Sequence, residues 1–108
     1  MKIYRLKKEF VYNQATWNVR STGNNWTAAG GFDAEDCEQT EITSIAFASN
    51  EYINQYKTIT FSATNKAELD LGYGWLLKMD TESEDRYDFN SSRNNTVNTR
   101  PILTITYK

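Results

Sequence analysis

The chain has 108 residues, of which 39% are hydrophobic and 24% charged, with a net charge of −2. That is the composition of one globular domain with one core, not of a disordered chain. Its basic residues are scattered, with Lys7-Lys8 the longest run, so the clustered cations that displace counterions from nucleic acid are missing. No apolar stretch approaches the roughly 20 residues of a membrane helix.

In chain order, Ile3 to Phe10 and then Val11 to Trp17 read as a strand and an extended segment. Ser21 to Asn25 is a polar connector, and Ile42 to Ala48 is a further strand. From Lys57 to Ala63, Ile59, Phe61 and Ala63 alternate with Thr58, Thr60 and Ser62. Gly72 and Gly74 bracket Tyr73 as a turn signal before a strand in which Trp75, Leu77 and Met79 alternate with Leu76, Lys78 and Asp80. Arg86 to Asn90 carries Tyr87 and Phe89 as another strand. The connectors Thr64 to Lys66, Asp80 to Asp85 and Ser91 to Thr99 are polar, the last being a long exposed loop. In Pro101 to Lys108, Leu103, Ile105 and Tyr107 share one phase and Ile102, Thr104 and Thr106 the other, with Pro101 at the start where a missing N–H does least harm.

No window of 11 or more residues carries a helical stripe. Thr, Tyr and Phe suit a half-buried pleated surface, and Asn suits the turns. The expectation is an all-β chain, an antiparallel, jelly-roll-like β-sandwich with negligible helix, forming a single domain over 1–108. The inward phase of its strands predicts a core of Trp17, Phe61, Trp75, Leu77, Leu103 and Ile105.

Chemistry is limited by what is missing. With no histidine, imidazole acid–base devices and histidine metal clusters drop out. Cys37 stands alone between Asp36 and Glu38, neighbours that disfavour a thiolate, so it reads as structural or incidental and not as a nucleophile. Carboxylates gather at Asp33, Glu35, Asp36 and Glu38 and again at Glu82, Glu84 and Asp85, both in polar surroundings that predict solvated acidic loops. Asp33, Glu35 and Asp36 also offer hard oxygens that could hold calcium, though not in EF-hand order. Trp26, Tyr12, Tyr52, Tyr56 and Tyr73 lie in or near loops, where a flat ring can cover the apolar face of a sugar. Trp26, flanked by Asn24, Asn25 and Thr27, is the leading platform, with Asn25 and Tyr73 as glycan contacts. Even for Trp26, packing under its own loop is the favoured reading. Asn25, Asn90 and Asn94 begin N-x-S/T sequons.

The run QATWNVRSTGNNWTAAGG from Gln14 to Gly31, then YGWLLK from Tyr73, YDFNSS from Tyr87 and RPILTITY from Arg100, resembles the DNRLRE family. These are β-sandwich modules related to disaggregatase-type and carbohydrate-binding domains. The chain is similar to the second half of such a module, since the family's opening strands precede the matching part. The resemblance implies a non-enzymatic jelly-roll-like sandwich, appended to cell-surface enzymes or built into tailed-phage virions. It does not fix ligand residues.

Two functional expectations follow. One is a structural virion protein, a capsid decoration or a part of a tail fibre or spike, assembled in the host cytoplasm with other subunits or as a homo-oligomer. The early charges of Met1 to Lys8, without an apolar run behind them, predict no signal peptide, and a half-module leaves sheet edges to be covered. The other is an extracellular carbohydrate-binding module of a polysaccharide-active enzyme. Neither involves nucleic acid or a membrane span.

Overall fold

The computed structural model describes residues 1–47, 56–60, 72–81 and 88–105. Its strands are β1 (Lys2–Arg5), β2 (Val19–Ser21), β3 (Asn24–Asn25), β4 (Thr43–Ser44) and β5 (Trp75–Lys78). One 3-10 turn, Val97–Thr99, is the only helical element among the described residues. Among the described residues every strand pairing is antiparallel. The fold is all-β.

β1 is the organising strand. It lies in the middle of a three-stranded sheet of order β4-β1-β5. Both of its faces are covered: Ile3 and Tyr4 point opposite ways along the strand and both are buried. Its pairing with β4 is extended by two bonds donated from the β4 side, Ile42 N–H to the Ile3 carbonyl and Ile45 N–H to the Met1 carbonyl, each 2.8 Å. Lys2 fastens both neighbours, with Nζ 3.0 Å from Glu41 Oε2 ahead of β4 and 3.0 Å from Asp80 Oδ1 beyond β5. Past β1 the chain continues along the acidic segment: Lys7 N–H donates to Asp36 O, Glu38 N–H to Arg5 O, and Leu6 pairs with Cys37.

The core lies on the Tyr4 face. Tyr4, Leu6 and Cys37 are buried together, and Trp26, Phe32 and Leu76 pack on them. Directly opposed residues of an antiparallel pair share a face. Tyr4 opposes Leu76 in the ladder and Ile3 opposes Leu77. Phe32 closes the cluster edge-on to Tyr4 at 4.8 Å, and the Lys78 ammonium sits 5.1 Å above the Phe32 ring.

The structure corrects several sequence expectations. β5 forms where alternation placed it, but its phase is reversed: Leu76 meets the core and Leu77 is 46% exposed. Trp75 is half-buried. Trp-Leu-Leu offers apolar side chains to both faces, so alternation alone cannot choose; Trp26 and Phe32 cover the Tyr4 side and decide it. Val11 to Trp17 is not extended: Gln14 and Ala15 both donate N–H groups to the Val11 carbonyl, closing a turn. Trp17, expected in the core, is 67% exposed because that turn carries it outward.

The connector Ser21 to Asn25 becomes a hairpin, β2 and β3 turning through Thr22 and Gly23, with Gly23 at φ 78°. Residues 57–60, 88–90 and 101–105 are not in strands. In the last of these the alternating pattern is present but no ladder holds it, so Leu103 and Ile105 stand exposed and not in a core. Phe61, Ser62 and Ala63 of the Lys57 to Ala63 segment, and Arg86, Tyr87, Thr106, Tyr107 and Lys108, lie outside the described residues. Ser91 to Thr99 forms the expected exposed loop, organised around Asn94, whose Oδ1 accepts from Thr96 N–H and whose carbonyl accepts from Arg100 Nε.

Candidate functional site

The expected site residues fall on three parts of the fold. Trp26 follows β3 and is half-buried, one side on the Tyr4–Leu6–Cys37 cluster. Its indole N–H donates to the Thr16 carbonyl at 3.1 Å, and its ring covers Gly31, where an added Cβ would stand 3.2 Å away. Trp26 therefore packs under its own loop. Asn25, in β3 opposite Val19, is exposed. Tyr73 is exposed on the turn between Gly72 and Gly74, whose carbonyl accepts the Leu6 N–H. No hydrogen bond or ring contact among the described residues joins Tyr73 to Trp26 or Asn25. Tyr52 lies outside the described residues.

The exposed ring that sequence reasoning missed is Trp17. Its carbonyl accepts the Gly30 N–H, and its indole approaches Gly30 so closely that a Cβ there would lie 2.6 Å from the ring. The flanking Thr16 and Asn18 are exposed too, a polar context that hinted at the surface. Tyr12 is a second exposed ring, held by Arg93, whose guanidinium lies 4.7 Å from its centroid and donates to its hydroxyl. Tyr56 is also exposed, and its hydroxyl donates to the Asn98 carbonyl.

The acidic segment departs from the expected solvated loop at one position. Asp36 has no solvent exposure. Its Oδ2 accepts the N–H groups of Thr27 at 2.7 Å and Ala28 at 3.1 Å, and its Oδ1 lies 3.0 Å from Lys8 Nζ. Lys8 also donates to Thr27 Oγ1 at 2.6 Å and stands 3.8 Å from Glu35. Burial pushes the Asp36 carboxyl up, but the bonds from Ala28, Lys8 and Thr27 outweigh it and hold the group below its ordinary value. The chain turns here because Asp36 and Cys37 both donate N–H groups to the Asp33 carbonyl, while Asp33 Oδ1 accepts the Glu35 N–H.

This geometry does not suit calcium. The oxygens of Asp36 are engaged by two amides and an ammonium, and Glu35 reaches the same ammonium from outside. Among the described residues, no group of three or more Cys, Asp or Glu side chains is placed to hold a metal ion. Asp36 is a structural anchor joining the chain after β1 to the loop 27–37. Glu82, Glu84 and Asp85 lie outside the described residues.

Cys37, beside it, is buried, and its thiol is pushed up by burial first and then by the charges of Asp36, Glu38 and Asp33. Among the described residues, no helix is long and apolar enough to cross a membrane. No protein-family model, curated protein or solved structure matches this chain.

Proposed function

We propose that the chain is a non-enzymatic structural protein that works by assembling with other protein subunits, as a capsid decoration or a fibre or spike component of a tailed-phage virion. One observation carries the assembly reading. Among the described residues the buried apolar set is Met1, Ile3, Tyr4, Leu6 and Cys37, while eleven large apolar or aromatic side chains stand exposed. Five of these, Phe89, Val97, Ile102, Leu103 and Ile105, fall in residues 88–105, outside every strand. Apolar side chains gathered in one stretch of chain are the kind of surface that a subunit contact covers. In this reading the jelly-roll-like sandwich that the resemblance to a DNRLRE module implies buries this surface against neighbouring subunits. The virion setting rests on that resemblance alone.

Light scattering at low micromolar concentration tests assembly; a stable, folded monomer with no affinity for any partner chain overturns it. Gene neighbours test the setting: capsid and tail genes support the virion, and glycanase genes replace it with the second reading.

That second reading is a carbohydrate-binding module, and the exposed indole of Trp17 favours it. Retention of the chain on an insoluble polysaccharide, abolished by Trp17→Ala, would establish it. No hydrolysis of a polysaccharide panel is expected under either reading.

A further inference from the structure

We draw no further inference here: the strongest candidate, the exposed apolar run of Ile102, Leu103 and Ile105 near the C-terminal end of the described chain, supports assembly as already proposed and carries nothing more, because nothing in the structure shows what covers it.

Discussion

The Lys8 ammonium stands 3.0 Å from Oδ1 of the fully buried Asp36, tying the chain just after β1 to the loop that carries Trp26 and Phe32. The same carboxylate satisfies the Thr27 and Ala28 amides. Asp36→Ala leaves these two donors and Lys8 without their acceptor, so it should cost about 1–3 kcal/mol in urea unfolding at neutral pH. The folded carboxyl titrates below its ordinary value of 3.8 and therefore binds fewer protons than the unfolded one. Its contribution is complete above 3.8 and is lost as pH falls through the depressed value. Unfolding free energies measured across that acid range should decline in the wild type and decline less in Asp36→Asn. Equal slopes would deny Asp36 this role.

Strand β5 gives a two-residue test of phase. Leu76→Ala should destabilise by about 2 kcal/mol, because it removes packing from the Tyr4 cluster. Leu77→Ala should stay within about 0.5 kcal/mol, the range of surface changes. The reverse order of effects in chemical denaturation would restore the phase expected from alternation.

Gly30 has φ 85°, and an added Cβ meets the Trp17 ring at 2.6 Å. Gly30→Ala should cost about 1–2 kcal/mol for the left-handed backbone alone and displace the indole, visible as a shift in tryptophan emission. Trp17→Ala should leave stability within about 0.5 kcal/mol, since the ring is mostly exposed. A larger loss from Trp17→Ala would put that ring in a core after all.

The Cys37 thiol should be inert in the folded protein. It is buried, and burial together with three nearby carboxylates disfavours the thiolate. A chromogenic disulfide reagent at pH 8 should label it only after denaturant is added. Immediate labelling of the native chain would contradict the burial.

The assembly reading is sharpest at residues 102–105. Leu103→Lys and Ile105→Lys replace exposed side chains and should leave the far-UV spectrum and thermal midpoint near those of the wild type. Light scattering should nevertheless show the loss of the associated species. Association undiminished in both variants would remove this run from the interface.

What could be read in advance was local. The Gly72–Gly74 turn and the strand from Trp75 follow from backbone freedom and alternation, both properties of a few consecutive residues. That Cys37 is no reactive thiol was expected from its acidic neighbours, whereas its burial beside Tyr4 and Leu6 comes from the packing. What escaped was set at long range. Leu76 and Leu77 are separated only by what covers β1, and that cover comes from Trp26 and Phe32, far away in the chain. Asp36 looks like any loop carboxylate until Lys8 and two backbone amides converge on it. At Ile102 to Ile105 the alternation was a property of the segment, whereas a strand requires a neighbour to bond with.

The central place of β1 also orders events in time. A ribosome makes β1 before either neighbour, yet Ile3 pairs with Thr43 on one side and with Leu77 on the other. During synthesis Leu6 waits for Cys37 and Ile3 for Thr43, and Tyr4 meets its ladder partner only when Leu76 has emerged. Contacts so distant in sequence slow the search for the native state and lengthen the window in which nascent chains can stick together. Refolding should therefore be slow for a chain this short, and its yield should fall as protein concentration rises.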